Sequence, residues 1–241
     1  MRIALFSDVH ANLPAFEAFL DDLDHKKPDS IYCLGDLVGY NIWPNEIIAE
    51  IRRRGIATIA GNHDLKVKRL SSEASGKNYA YSIIGEEERS YLKALPSHIR
   101  LEYKLNTESL NMLLVHGSPR SIDEYMLEDM NEDYALDLLT QTRADIIFCG
   151  HSHLPYQRIF QIEDSGTYSV KRIINTGSVG KPKDGDPRGC YVLLTLKEGN
   201  GNKEDILVEF VRFSYDVEKA AKAVEESPLP DEFADRLRRA Y

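Results

Sequence analysis

Histidine, aspartate and asparagine residues follow short apolar segments at five places in the sequence. Five of the seven histidines lie in these clusters. The clusters are Asp8/His10, Asp36, Asn62/His63/Asp64, His116 and His151/His153. If the apolar segments are strands of an open α/β sheet, the residues that follow them meet beyond the carboxyl ends of the strands. Residues far apart in the sequence are therefore predicted to form one site.

The residue types in these clusters suit transition metals. Carboxylate and amide oxygens combined with imidazole nitrogens favour Mn, Fe, Zn or Co over Ca or Mg. Asp8 and His10 are two residues apart, so in extended backbone both side chains would point to the same side. His151 and His153 repeat this spacing. About seven ligands are too many for one tetrahedral ion and fit two ions that share a bridging carboxylate. Such a pair would bind phosphoryl oxygens and activate water for hydrolysis.

The elements that must position these residues follow from the apolar pattern. In the first half of the chain, apolar runs alternate with segments that carry apolar residues at helical spacing, which predicts βαβ units and a buried parallel sheet. Asn12 is predicted to cap the first helix. From Tyr156 onward, short β-rich segments predict antiparallel strands. These segments cover residues 168–174, 191–196 and 206–213.

The connections are predicted from polar and turn-forming residues. Residues 65–95 are predicted to be largely helical with a loop at 71–76, residues 105–110 to form a hairpin-like connection, and residues 199–202 to form a turn. The chain after Val217 is predicted to be helical, with an interruption at Pro228 and Pro230. We expect one domain over residues 1–241, with a helical tail from about residue 215.

Composition excludes several classes of protein. The 241 residues include 30 Lys and Arg against 39 Asp and Glu, a net charge of −9, which argues against a general nucleic-acid-binding protein. An acidic enzyme can still bind a phosphorylated ligand where metal ions reverse the local field. The three cysteines are separated and lie in apolar runs, so buried thiols are expected. With neither a signal peptide nor a membrane-spanning run in the sequence, we expect a cytoplasmic protein.

The complete set of motifs resembles the calcineurin-like metallophosphoesterases. Five blocks occur in the order found in that family, across about two-thirds of the chain. They are Asp8-Val9-His10, Gly35-Asp36, Gly61-Asn62-His63-Asp64, His116-Gly117 and Gly150-His151-Ser152-His153. The resemblance implies a four-layer α/β/β/α sandwich with mixed sheets, instead of the single doubly wound sheet that periodicity alone favours. We adopt the sandwich because the second half of the chain is rich in β segments.

The resemblance also implies a role for each residue. Asp8, His10, Asp36 and His153 would hold one divalent ion, and Asp36 would bridge to a second ion completed by Asn62, His116 and His151. Mn or Fe is favoured among the candidate metals, and a water held between the ions would be the nucleophile. His63 would lie near the phosphate, either as general acid or as a stabiliser of charge. Asp64 would orient His63 or cap the following helix.

Two segments indicate which group within the metallophosphoesterases the chain resembles. Protein serine/threonine phosphatases and symmetrical dinucleoside tetraphosphatases carry an Arg shortly after the Gly-Asp block, where this chain has Gly39 and Tyr40. The segment is similar to a bacterial and archaeal group described as phosphodiesterase-like or diadenosine-tetraphosphatase-like, although Trp43 departs from its pattern and is expected to pack against the domain. Residues 175–188 also resemble that group. Their glycines would allow close backbone approach, and Lys181 and Arg188 would bind substrate or be solvated charges.

These patterns predict a hydrolase that cleaves a phosphodiester or a nucleotide polyphosphate. The expected partner is a small phosphorylated molecule, with nucleotides among the candidates, and neither membrane nor nucleic acid is expected. Two alternatives stay open: a phosphomonoesterase of the same fold, and a metal-binding scaffold without turnover. Neither the physiological substrate nor the oligomeric state follows from the sequence.

Overall fold

The structure is a computed structural model that describes residues 1–67, 76–105, 108–164, 167–197 and 202–241. Residues 71–75 of the predicted loop at 71–76, residues 199–201 of the predicted turn at 199–202 and residues 106–107 of the predicted hairpin connection lie outside these ranges. The strands are β1 (Arg2–Phe6), β2 (Ser30–Cys33), β3 (Ala57–Thr58), β4 (His98–Lys104), β5 (Ser109–Val115), β6 (Ile146–Cys149), β7 (Tyr156–Asp164), β8 (Thr167–Asn175), β9 (Gly189–Thr195) and β10 (Leu207–Phe213). The helices are α1 (Leu13–Lys26), α2 (Pro44–Arg54), α3 (Asn62–Lys66), α4 (Tyr79–Ser82), α5 (Glu86–Ala94), α6 (Glu132–Thr142), α7 (Val217–Glu225) and α8 (Glu232–Arg239).

The strands form two mixed five-stranded sheets. The first sheet has the order β10-β9-β1-β2-β3, and the second has the order β4-β5-β6-β8-β7. In the first sheet β1, β2 and β3 are parallel, whereas β9 runs antiparallel to both of its neighbours, β1 and β10. In the second sheet β5, β6 and β8 are parallel, whereas the edge strands β4 and β7 run antiparallel. The βαβ units are therefore present locally, but the single doubly wound sheet that periodicity favours is wrong.

Three apolar layers hold the four-layer sandwich together, and alternate residues of one strand reach different layers. In β1, Ile3 and Leu5 face the space between the sheets, where they join residues of β5 and β6. Ala4 and Phe6 of the same strand pack with residues of α1 and α2 on the outer face. Residues of α6 cover the opposite sheet. The predicted α/β/β/α sandwich with mixed sheets is confirmed.

The first helix begins where the sequence predicts. Asn12 caps it, because the Asn12 side chain accepts a hydrogen bond of 3.2 Å from the Ala15 amide, and Pro14 lies in the first turn. Near the C-terminus, α7 and α8 pack together, and the ring of Phe233 lies 5.0 Å from the ring of Tyr40. The helices predicted after Val217 are therefore present, and the second of them reaches the loop after β2.

Two further expectations concern buried thiols and membrane spans. Cys33, Cys149 and Cys190 are buried and free, as predicted. Among the described residues, none of the helices has both the length and the apolar character needed to cross a bilayer.

Candidate metal centre

The ends of four strands bring six candidate ligands into two groups. The first group is Asp8, His10 and His153, and the second is Asp36, His116 and His151. Within each group, one possible ligand atom from every residue lies within 4.8 Å of the others. All six residues are buried, and each follows the end of β1, β2, β5 or β6. The convergence predicted from the sequence is therefore present.

The backbone at five of these six residues is left-handed instead of extended. The φ angle is 58° at Asp8, 50° at His10 and 56° at Asp36, and it is 63° at His151 and 61° at His153. The expectation of extended backbone is wrong, because the chain turns sharply at the end of each strand. His151 and His153 enter different groups, whereas Asp8 and His10, which also have left-handed backbone, share one. Left-handed residues other than glycine are costly and persist only where surrounding contacts hold them. One such contact is the 3.0 Å hydrogen bond from the His10 amide to the Asp36 carbonyl.

Three histidines are oriented by backbone carbonyl groups. The Nδ1 atom of His10 donates to the Val38 carbonyl at 2.9 Å, and the Nδ1 atom of His116 donates to the Leu34 carbonyl at 2.9 Å. The Nδ1 atom of His153 donates to the carbonyl of Lys181 at 2.5 Å. A carbonyl oxygen only accepts, so each Nδ1 carries a proton and the neutral ring leaves a lone pair on Nε2. The three rings are therefore set to ligate through Nε2.

The first group has the donor arrangement of a cation site. The Nε2 atoms of His10 and His153 lie 3.2 Å apart, and in the neutral rings both carry lone pairs. Such a contact is repulsive unless a cation lies between the two nitrogens. The Oδ1 atom of Asp8 is buried, has no hydrogen-bond partner among the described residues and lies 3.1 Å from Nε2 of His153. Its Oδ2 atom accepts the His151 amide at 3.0 Å. These unsatisfied acceptors fit a divalent ion.

Asp36 lies between the two groups. Its Oδ2 atom is 3.6 Å from Nε2 of His10 and 3.4 Å from Nε2 of His116. The Asn62 side chain joins the second group, with Oδ1 3.3 Å from Nε2 of His116. His151 donates through Nε2 to the carbonyl of Asp123 at 3.2 Å, which leaves its Nδ1 atom free for the second group. All seven predicted ligands therefore meet here, and their assignment to particular ions stays a prediction.

The electrostatics of the metal-free centre follow from buried opposite charges. Burial opposes ionisation of Asp36, but the facing imidazoles of His116, His63 and His10 lower its pKa below the usual range. Burial likewise opposes the protonation of His116, but the Asp36 carboxylate raises its pKa to about 9. Burial lowers the pKa of His153 to about 4. In the absence of metal, a proton on His116 therefore compensates part of the carboxylate charge.

Asp64 does not contact His63 in the predicted way. Its buried carboxylate instead accepts three backbone amides, from Asp36 at 2.8 Å, Leu37 at 2.9 Å and Gly61 at 2.9 Å. The prediction that Asp64 orients His63 is therefore wrong. The helix-capping alternative is closer, because the Asp64 side chain at the third position of α3 accepts the amide of Gly61, the residue that precedes the helix. The main effect of Asp64 is to hold the loop that carries Asp36.

Two residues that the sequence analysis missed orient His63. The Tyr81 hydroxyl contacts Nδ1 of His63, and Nζ of Lys66 lies 3.2 Å from its Nε2. An ammonium group only donates, so Nε2 accepts from Lys66 and the ring proton lies on Nδ1, facing the Tyr81 oxygen. Burial lowers the pKa of His63 to about 3. The geometry therefore favours a neutral His63 that stabilises charge together with Lys66.

Gly39 permits this arrangement. Its φ angle is +92°, and a Cβ atom there would lie 2.6 Å from Nδ1 of His63 and 3.1 Å from the Tyr81 hydroxyl. A glycine in the segment after Asp36 is the feature of the sequence that indicates this close approach, because glycine adopts positive φ angles without strain. Gly180 fulfils the predicted close approach in the later segment, because a Cβ atom would lie 1.9 Å from the Val9 carbonyl oxygen.

The two predicted substrate-binding cations differ in position. Lys181 is 1% exposed, and its Nζ atom has no hydrogen-bond partner within the described ranges and lies 4.8 Å from the centre of the Tyr40 ring. Burial, and then Lys183 and Arg236, lower its pKa to about 7. Arg188 is exposed, and its guanidinium is bound to Asp186 at 2.6 Å. For Arg188 the solvated alternative is therefore favoured, because a partner two residues away already neutralises it.

The remaining side chains of interest lie at the edge of the centre. His25 and His98 are exposed, as predicted, and Trp43 is half-buried at the start of α2. Tyr125 stacks on His151 with 4.3 Å between ring centres, although the sequence analysis did not identify it.

A two-sheet sandwich with two groups of carboxylate and imidazole ligands beyond its strand ends defines the class of metal-dependent phosphoesterases. A family model described as the calcineurin-like phosphoesterase superfamily domain matches residues 1–199. The chain belongs to this superfamily, which confirms the resemblance found in the sequence.

Several relatives span the whole chain. An uncharacterised protein of Methanocaldococcus jannaschii is 31% identical over 256 residues, covering 98% of this chain and 96% of its own length. The crystal structure of a metallophosphoesterase from Sphaerobacter thermophilus is 30% identical, with a TM-score of 0.79 and coverage of 100% and 99%. A hypothetical protein from Pyrococcus horikoshii shares the fold at 20% identity, with a TM-score of 0.75 and coverage of 100% and 98%.

Proposed function

We propose that the protein is a phosphoesterase that uses two divalent ions to hydrolyse a phosphodiester or a nucleotide polyphosphate. The observation that carries the proposal is the lone-pair contact of 3.2 Å between Nε2 of His10 and Nε2 of His153, next to the Oδ1 atom of Asp8, which has no hydrogen-bond partner in the part of the chain that the structure describes. The second group, on the other side of Asp36, supports a second ion. Mn and Fe are the first metals to test, because both accept mixed oxygen and nitrogen ligands.

In this proposal, different residues hold the ions and contact the substrate. Asp8, His10 and His153 would hold one ion, and Asn62, His116 and His151 the other, with Asp36 between them. When bound, the ions supply Lewis acidity toward the phosphoryl oxygens and lower the pKa of water to make a nucleophile. His63 and Lys66 lie at the rim and would stabilise negative charge on the phosphoryl group.

Lys181 supports a negatively charged substrate. Its ammonium group is buried beside Tyr40 without a hydrogen-bond partner in the described chain, which is costly unless an anion approaches. The pKa of Lys183 is lowered by burial, although Asp8 and Asp36 act in the opposite direction, so this side chain also lies within electrostatic reach of the centre. Together the two lysines would counter the charge of a phosphorylated ligand in an otherwise acidic protein.

The test is hydrolysis of bis(p-nitrophenyl) phosphate with Mn²⁺ before and after Asp36→Asn. We expect turnover by the wild type and a loss of at least about 100-fold in the variant, because one carboxylate serves both ligand groups. Asp21→Asn on the exposed face of α1 is the matched control. Undiminished turnover in Asp36→Asn would contradict the proposal.

The two other candidate functions predict different outcomes. Faster hydrolysis of p-nitrophenyl phosphate than of the diester would favour the phosphomonoesterase. Two bound ions by elemental analysis, without turnover of any phosphoester, would favour the scaffold.

A further inference from the structure

A cavity of ≈ 270 Å³ opens beside His63, between α3 and α4 on one side and α8 on the other. We call it the α8 pocket. It is lined by the cationic residues Lys66, Lys77 and Arg236 and by the aromatic residues Tyr40, Tyr81 and Phe233. The three cations come from three different parts of the chain, so their meeting is a product of the fold and not of one charged segment.

The α8 pocket adjoins the candidate metal centre. The His63 ring, which lines the pocket, lies 5.0 Å from the ring of His10, measured between centres. The Tyr40 ring lies 4.8 Å from each of these two rings. A substrate whose reacting phosphoryl group meets the ligands around Asp36 would therefore extend past His63 into the pocket.

The charge of the pocket is suited to an anion. No carboxylate is among the described residues that line it. The Nε atom of Arg236 is buried and has no hydrogen-bond partner within the described chain. Among the described residues, the carboxylate that pairs with Arg236 is Glu232, one helical turn earlier, whose side chain is 49% exposed, so a bound phosphate would compete with this ion pair for the guanidinium. Lys66 donates a hydrogen bond to the imidazole of His63. Because this imidazole is neutral, the contact does not neutralise the positive charge of Lys66.

We propose that the α8 pocket binds a second, non-reacting phosphate group of the substrate. This inference rests on the proposed function and names its substrate class: phosphoesters that carry at least one phosphate besides the one cleaved. A cavity of ≈ 270 Å³ lies just below the range of sites for larger ligands, about 300 Å³ and above, and fits a phosphate or a phosphorylated sugar. Arginine and lysine bind phosphate through charge-assisted hydrogen bonds.

The C-terminal helix α8 contributes two residues to the α8 pocket. The superfamily match covers residues 1–199, which include the ligand groups, whereas Phe233 and Arg236 belong to α8 at residues 232–239. The same helix positions Tyr40, because the Phe233 ring packs against it at 5.0 Å. The second-phosphate subsite would thus combine residues inside the matched range, such as Lys66 and Lys77, with Phe233 and Arg236 of α8 outside it.

The test uses two substrates that differ by one phosphate. They are thymidine 5′-(p-nitrophenyl phosphate) and the same compound with a 3′-phosphate, both assayed by release of p-nitrophenol from the Mn²⁺-loaded enzyme. Arg236→Gln and Lys77→Gln should each lower the ratio of kcat/KM for the phosphorylated over the plain compound by about tenfold, the loss of one charge-assisted bond. Arg239→Gln, an exposed position on the same helix, should keep the wild-type ratio.

A second readout needs no metal. Titration calorimetry of the metal-free protein with pyrophosphate should show binding that Arg236→Gln and Lys77→Gln weaken and Arg239→Gln does not. Unchanged ratios and unchanged pyrophosphate binding in both pocket variants would overturn the inference. If Arg236→Gln fails to fold, as judged by circular dichroism, the inference is tested by Lys77→Gln alone, because Lys77 is exposed.

The two proposals fail in different ways. Suppose that both compounds are turned over, and that neither the kcat/KM ratio nor pyrophosphate binding changes in the pocket variants. That result would refute the subsite and leave the proposed phosphoesterase activity intact. Pyrophosphate binding that depends on Arg236, together with no turnover of any phosphoester, would refute the phosphoesterase and leave the anion subsite.

Discussion

Replacement of Asp64 by Asn should destabilise the fold and loosen the loop that carries Asp36. The buried carboxylate accepts three backbone amides, two of them on Oδ2 and one, from Leu37, on Oδ1. Asn has one acceptor oxygen, so it can keep the pair on Oδ2 but turns its NH₂ group toward the Leu37 amide. One buried donor is then unsatisfied, and the remaining bonds lose their charge.

The expected cost is about 2–4 kcal/mol of unfolding free energy, from one unsatisfied buried donor at about 1–3 kcal/mol plus weaker bonds at the others. That is a large share of the roughly 5–15 kcal/mol available to an ordinary domain. The assay is urea unfolding of the metal-free protein at pH 8, followed by circular dichroism. Asp21→Asn, on the exposed side of α1, should change the unfolding free energy by less than about 0.5 kcal/mol.

A second consequence concerns metal binding. Because Asp64 holds the Asp36 amide at 2.8 Å, the variant should also bind Mn²⁺ about 10–100-fold more weakly. Wild-type stability and metal affinity, combined with a lower kcat, would refute this reasoning and restore the role of Asp64 in orienting His63.

Four further predictions address the histidines. Tyr81→Phe should lower kcat about tenfold with little change in KM, because His63 loses the partner of Nδ1, whereas Tyr79→Phe on the same short helix should not. Gly39→Ala should reduce turnover far more than Gly185→Ala, because both have positive φ but only the first would press on His63; equal losses would contradict this. At pH 7.5 the metal-free His116, with its pKa near 9, is protonated, so calorimetry in buffers of different ionisation enthalpy should detect about one proton released on metal loading. By the same shift, the His116–Asp36 pair stabilises the metal-free fold below pH 6.5, and that contribution fades as the pH rises toward 9, which unfolding at several pH values would measure.

The convergence of the ligands was predictable because it depends on strand ends, which apolar runs mark clearly. Asp8 and Asp36 each follow such a run, and the parallel strands β1 and β2 bring their carboxyl ends to one edge. The backbone conformation was not predictable in the same way. Left-handed φ angles at Asp8 and His153 are imposed by contacts from other loops, such as the Gly35 carbonyl that accepts the Asp8 amide at 3.0 Å.

The division into two sheets, and the contacts that orient His63 and neutralise Arg188, could not be predicted without the tertiary structure. Runs such as residues 3–6 of β1 and the whole of β6 are apolar throughout, which is equally typical of one parallel sheet or of two packed sheets. Tyr81 reaches His63 from a separate short helix in a polar region, so no spacing links the two. Arg188 is basic and follows a glycine-rich segment, but its neutralisation by Asp186 depends on the geometry of the turn.

The most direct test of the two-ion centre is anomalous diffraction from crystals soaked in Mn²⁺. Wild-type crystals should show two peaks per chain, one beside Asp8, His10 and His153 and one beside His116 and His151, with Asp36 between them. His153→Ala should abolish the first peak and His151→Ala the second. A single peak in the wild type, or loss of the same peak in both variants, would contradict the two-ion centre.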